Sequence, residues 1–284
     1  MDPNVEQSIE GGREPHPIPA DSGSASPTAH PTVAPVWHTV LLVIFILLVS
    51  LRGVYRHPGV SGAGVVNRIA TYGVTAVMEI ALVGWVVLGL RLRKIPVRSL
   101  FGAVSNDFRS IALDLGIAAV FWIGSLMALA SVALVWVSVE TLVTHRHAPA
   151  HSGQPFAPDP TQHKATKAVL QLAPTNSREI AGWVLLCLLV GVAEELVFRG
   201  YLQRQFTAWA RGAAAAGVVF SALLFGAAHG YEGVRSMFLL AVFGAFFSLL
   251  ALFRRSLRAG IFAHSWHDIA AGLTIAFLHS RHIV

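Results

Sequence analysis

Apolar residues in this chain are gathered into long blocks rather than alternated with polar ones, and the blocks begin only past the first 35 residues. They fall at approximately 36–52, 67–90, 110–139, 180–203, 212–231, 234–253 and 259–279. A helix needs about 20 apolar residues to cross the roughly 30 Å hydrocarbon layer of a bilayer. The blocks therefore predict an all-α fold, a polytopic transmembrane helical bundle of about seven spans over 36–284, with an eighth left open. The third block exceeds what one crossing requires and is expected to begin as an interfacial segment near Asp114. The stretch 140–178, rich in His, Pro, Thr and Ala, is expected as a polar loop. No internal repeat is visible, which counts against the inverted-repeat transporters.

Ahead of the blocks, residues 1–35 hold Pro3, Pro15, Pro17, Pro19, Pro27, Pro31 and Pro35, five acids and only Arg13 as a base. Such a stretch buries too little apolar surface to offset the entropy of ordering, so a disordered, Pro-rich acidic tail is expected. A basic start, a short apolar core and a small-residue cleavage site are missing near Met1, so the first block is expected to stay as an anchor.

Composition sharpens the picture. Hydrophobic residues make up 54% and charged residues 13%, where soluble domains carry about a quarter charged. A water-soluble enzyme, a wholly disordered chain and a disulfide scaffold are excluded, the last because Cys187 is the lone cysteine. The net charge of +6 reads as topology, not nucleic-acid binding, since no basic patch is interleaved with aromatics. With seven spans, twelve of the 21 Lys and Arg fall on the side of the tail. The positive-inside rule then puts the tail in the cytoplasm of an integral, multi-pass membrane protein.

Ionisable groups inside apolar spans are costly, and function is their default reading. Three clusters stand out: Glu194, Glu195 and Arg199 in the fourth block, Phe225 and His229 in the fifth, and His264, His267 and Asp268 in the last. Residues four apart share a helix face. Glu195 can therefore pair with Arg199, which leaves Glu194 turned about 100° away. Phe225 shares a face with His229, and His264 with Asp268. Small residues such as Gly191, Ala193, Gly226, Ala227 and Ala263 allow the helices to close around a polar cavity. The inventory suits amide hydrolysis: a desolvated carboxylate can take a proton from water. Alternatively, Glu194, His229, His264 and Asp268 are candidate ligands for Zn²⁺, which would acidify a bound water. Cofactor use stays open between the two. Ser265 adjoins His264, but successive helix side chains diverge, so no nucleophile elbow is present.

The strings Glu194-Glu195-x-x-Phe198-Arg199-Gly200, Phe225-x-x-x-His229 and His264-x-x-x-Asp268 resemble, in order and spacing, the motifs of the CAAX prenyl endopeptidase and bacteriocin-processing family of intramembrane proteases. The likeness covers the motif core 180–270. It implies an endopeptidase acting on a membrane-associated polypeptide, with a lipidated or leader-bearing chain as one candidate. In that reading Glu194 and His229 activate the hydrolytic water, His264 and Asp268 stand opposite them, and Glu195 and Arg199 shape the site. One position departs from the family's usual pattern: asparagine is common where Asp268 stands. An ionised aspartate only accepts hydrogen bonds, so Asp268 is expected to orient His264 or join a metal site, not to donate to an oxyanion.

Blander readings stand beside these. Glu195–Arg199 alone would be an ion pair, and His264–Asp268 a helix-to-helix hydrogen bond. His267 is expected as a bystander, and Glu79 in the second block either faces the cavity or meets a buried donor. Trp37, Trp183 and Trp209 are expected as interface anchors. Two rival functions remain: a proton-coupled transporter using Glu79, Glu194, Glu195 and the histidines as a relay, and a non-proteolytic membrane scaffold of the same family. Depth poses a problem for all of them. If the fifth span starts at Ala213, His229 lies roughly 24 Å along it, whereas His264 sits only a turn or two from the same side. The two meet only if that span starts outside the hydrocarbon or tilts strongly.

Overall fold

A computed structural model describes residues 31–56, 67–102, 105, 107–147 and 170–281. The tail before Pro31, most of the stretch 140–178, and His151, His163 and His282 lie outside the described residues. The helices are α1 Val36–Arg56, α2 Arg68–Leu92, a single turn α3 Arg98–Phe101, α4 Phe108–His147 and α5 Ser177–Glu194. The last continues without a break through a π-helical stretch, Glu195–Leu202, into α6 Gln203–Trp209. After it come α7 Ala214–Ala228, a 3-10 turn Gly230–Glu232, α8 Val234–Arg254 and α9 Arg258–Ser280.

Caps set several of these boundaries. Asn67 accepts from the Ala70 N–H at the start of α2, and Asp107 from Ser110 at the start of α4. Asn176 accepts from Glu179, whose carboxylate reaches back to the Thr175 N–H at 2.8 Å. Each satisfies a backbone donor that has no intrahelical partner. The Ser105 hydroxyl and the Ser110 N–H hold the Asp107 carboxyl below the ordinary aspartate range. Arg255, in the left-handed region at φ 51°, ends α8 and turns the chain into α9.

Among the described residues, five helices are long and apolar enough to cross a membrane: Val36–Gly53, Arg68–Leu92, Phe108–Val143, Ser177–Trp209 and Val234–Arg254. The fifth and seventh expected spans differ in kind. Helix α7 has 15 residues, about 22 Å against a core of roughly 30 Å. Helix α9 has 23 residues but carries His264, Ser265, His267 and Asp268 within them. The third expected span, 110–139, is longer than drawn: α4 runs on to His147, so the polar loop begins later than residue 140. Its start is tied into the bundle. Asp114 is buried, its Oδ1 accepting from Arg254 Nη2 at 2.6 Å and its Oδ2 from Arg258 Nε. One carboxylate thereby ties α4 to the α8–α9 corner.

The continuous helix α5–α6 runs through the centre, with α2 and α9 against α5, α7 against α6 and α8, α1 against α7 and the 3-10 turn, and α4 outside α8 and α9. Only 11% of the apolar window of α4 is buried, so the rest of that helix is a surface for lipid. The helices meet through glycines. A Cβ on Gly191 would lie on Ser265 Oγ and 3.0 Å from the Ser265 backbone nitrogen, while one on Gly73 would meet nothing within 4 Å. Gly191→Ala is therefore expected to destabilise by about 1–3 kcal/mol through overpacking, lowering the unfolding temperature in detergent. Gly73→Ala, made alongside, should leave that temperature unchanged or raise it.

Packing also resolves the question of depth. A Cβ on Gly200 would stand 3.3 Å from Leu257, the residue just before α9. The nine residues from Tyr201 to Trp209 thus run past the start of α9, roughly 13 Å at the helical rise. Helix α7 departs from this overhang, and its far end reaches the level of His264.

Candidate active site

Glu194 is the last residue of α5 and Glu195 the first of the π-helical stretch. They face different neighbours, as adjacent positions on a helix must. The Glu195 carboxylate is fully buried, with Oε1 2.9 Å from Arg199 Nη1. The Arg199 guanidinium is itself buried: Nη2 donates to the Gly244 carbonyl at 3.2 Å, and its centre lies 4.4 Å from the Phe225 ring and 5.1 Å from the Phe247 ring. Phe225 thus roofs the ion pair, and the aromatic faces meet a desolvated cation with their negative side.

Glu194 looks the other way. Its Oε1 stands 4.0 Å from His229 Nε2, and its Oε2 3.4 Å from His264 Nε2. His229 Nδ1 is 2.8 Å from the Phe225 carbonyl. A carbonyl only accepts, so Nδ1 carries the proton, and in the neutral ring Nε2 presents a lone pair toward Glu194. His264 is held on one side by a hydrogen bond from Nδ1 to Glu195 Oε1 at 3.2 Å, and on the other its Nε2 stands 3.8 Å from Asp268 Oδ2. The Trp183 indole donates to the Asp268 carbonyl at 3.1 Å. Trp183 packs on α9 beside the site and against Tyr72. Trp37 and Trp209 are exposed. His267 packs on Phe243 at a tilt, with ring centres 4.7 Å apart, and takes no part in these bonds.

All seven candidate residues are therefore brought together: Glu194, Glu195 and Arg199 from the central helix, Phe225 and His229 from α7, and His264 and Asp268 from α9. Spacing along the chain does not reveal everything here. The bond from Glu195 to His264 joins residues 69 apart and links the ion pair to the histidine, so Glu195 serves two partners. A second buried polar group is also hidden in the sequence: His38 Nδ1 and the Thr39 hydroxyl each lie 2.8 Å from the Tyr201 hydroxyl, which ties α1 to the π-helical stretch. A cavity of about 590 Å³ lies behind Arg199, lined by Gln203, Arg204, Thr207 and Ser256 among others. Among the described residues, no group of three His, Cys, Asp or Glu side chains is placed to hold a metal ion.

Two adjacent glutamates on a central apolar helix, facing histidines from two further helices, place an ionisable cluster inside an integral membrane bundle. Residues 176–270 match the family model described as type II CAAX prenyl endopeptidase Rce1-like. The matched segment is a third of the chain's length, and over it the chain is similar to that endopeptidase family. No curated protein and no solved structure matches the chain significantly.

Proposed function

We propose that this protein is an intramembrane endopeptidase that hydrolyses a peptide bond of a membrane-associated polypeptide, a lipidated or leader-bearing chain, with a water activated between Glu194 and His229. The observation that carries the proposal is the 4.0 Å gap between Glu194 Oε1 and His229 Nε2. It is too long for a direct hydrogen bond and close to the spacing of two acceptors that share one water. The bond from Nδ1 to the Phe225 carbonyl keeps the Nε2 lone pair aimed at that space.

In this reading one proton of the water passes to Glu194 as its oxygen attacks the carbonyl carbon, and His229 holds the other. His264, with Nδ1 fixed by Glu195, turns Nε2 toward the space beside Glu194 and Asp268, where it donates to the oxygen that gains charge. Asp268, with Oδ2 3.8 Å from that nitrogen, is a neighbouring negative charge and not its hydrogen-bond partner, which leaves Nε2 free to donate. Collapse of the tetrahedral intermediate breaks the C–N bond, and the proton on Glu194 goes to the departing amine. The Glu195–Arg199 pair keeps a second negative charge out of the balance. We assign the helix ends carrying Arg91, Arg93, Lys94, Arg204, Arg254 and Arg258 to the cytoplasm by the positive-inside rule.

Zinc, left open by the sequence, finds no fitting ligand set in the described donors, and no step passes through it. Cleavage is expected to survive 1,10-phenanthroline. Elemental mass spectrometry should find no stoichiometric metal that wild type holds and His229→Ala loses. One metal per chain, lost in that variant, would overturn the metal-free route. The proposal as a whole is tested by purified protein acting on quenched-fluorescent peptides with and without a farnesylated CAAX terminus, with Glu194→Gln as the reference.

A further inference from the structure

Glu79 lies on α2, outside the segment that matches the protease family. It is 5% exposed, and its Oε2 has no hydrogen-bond partner among the described residues. Helix α2 runs alongside α5: Tyr72, two turns before Glu79, packs on Gly182 and Trp183, and Trp85, beyond it, stacks on His38, which bonds Tyr201. Glu79 therefore stands at the level of Glu194, and Glu194, His264 and Asp268 are the charged groups that act on its carboxyl. A buried carboxyl without a partner loses its hydration and gains nothing in return, a cost of about 1–3 kcal/mol or more. Two ordinary explanations do not apply. Among the described residues it makes no ion pair with a base on a neighbouring helix, and it caps no helix end.

The substrate supplies the missing partner. Hydrolysis requires the scissile stretch to be unwound, and an unwound polypeptide in apolar surroundings exposes N–H groups that must find acceptors. Many proteases offer such a chain the edge of a sheet. Among the described residues there is no strand, and the one isolated bridge, between Gly102 and Ser256, lies at the overhanging end of the bundle. Side-chain acceptors must serve instead. In the endopeptidase reading Glu194 is committed to the attacking water, and Asp268 faces His264 Nε2 at 3.8 Å.

We propose that Glu79 is a substrate-binding residue, its free carboxyl oxygen accepting a main-chain N–H of the polypeptide across from Glu194. The inference rests on the endopeptidase reading above. It is tested by steady-state cleavage of the same peptides, and by thermal unfolding of the full chain in detergent, for Glu79→Leu, Glu79→Gln and Glu194→Gln. Losing one such bond is expected to raise the KM of Glu79→Leu about tenfold with kcat little changed. The same variant should unfold at a higher temperature than wild type, because an unpaired buried polar group is replaced by an apolar one of similar size. Glu79→Gln keeps an oxygen in place and should restore most of the KM.

A wild-type KM in Glu79→Leu overturns the inference. So does a lowered unfolding temperature, which would mark Glu79 as a structural brace whether or not either peptide is turned over. A kcat in Glu79→Gln as low as that of Glu194→Gln also overturns it, in favour of proton transfer. Full activity in Glu194→Gln sinks the endopeptidase mechanism itself, whereas an inert Glu194→Gln beside a Glu79→Leu with unchanged KM sinks only the role of Glu79.

Discussion

Glu194→Gln protein is expected to fold, to unfold near the wild-type temperature and to cleave about a hundredfold to ten-thousandfold more slowly, the range a positioned general base contributes. Glutamine is isosteric and keeps a carbonyl oxygen beside His264. What it lacks is the capacity to take a proton from water. The loss should fall on kcat and leave KM nearly unchanged, because the base acts on the water and only in the transition state. Glu194 is partly exposed and has an oxygen with no hydrogen-bond partner among the described residues, so the fold does not lean on its charge. Cleavage at the wild-type rate by a folded Glu194→Gln protein would remove the mechanism.

Arg199→Ala is expected to have the largest effect on stability. It leaves the Glu195 carboxylate, fully buried beside it, without its counter-charge, and breaking such a pair from one side costs about 3–5 kcal/mol. It also removes the cation from between the Phe225 and Phe247 rings and the donor to the Gly244 carbonyl. The protein should lose yield and unfold at a lower temperature. The double variant Glu195→Gln/Arg199→Met tests the cause. With both charges gone, most of the stability should return, because a neutral, packed replacement of a buried pair is often tolerated. Activity should not return with it, since Glu195 also fixes Nδ1 of His264. If the double variant is no more stable than Arg199→Ala, the pair is not what holds this region.

The candidate site was legible in the sequence to the extent that its partners share a helix. Glu195 with Arg199, Phe225 with His229, and His264 with Asp268 are each four apart, and helical geometry alone puts them on common faces. Glu79 was visible as an acid inside an apolar block, yet its neighbours Glu194, His264 and Asp268 lie more than a hundred residues away, and no spacing rule reaches them. Hydropathy found the helices but not the length of the fifth or the lining of the seventh. It averages over a window and cannot tell that α7 ends at His229, or that α9 turns its polar residues inward. The length of α4 was missed for a related reason: polarity from Glu140 to His147 marks where apolar surface stops, not where a helix must.

The π-helical stretch sets a register for the whole chain. Such a segment arises where one more residue is threaded into a helix than its turns would hold, and here all eight residues from Glu195 to Leu202 are buried. Upstream of it, Glu194 is aimed at two histidines. Downstream, Gln205 is aimed at a different part of the chain, where its side chain bonds the Val33 and Ala34 nitrogens and the Ala34 carbonyl and so docks the segment that leads into α1. Deleting a single residue within the stretch would let it relax to an ordinary α-helix and rotate everything beyond it by about 100° relative to Glu194. Either the carboxylate or the dock could then face its partner, but not both. The helix acts as a phase-setting shaft, in which a one-residue surplus keeps two distant faces in step.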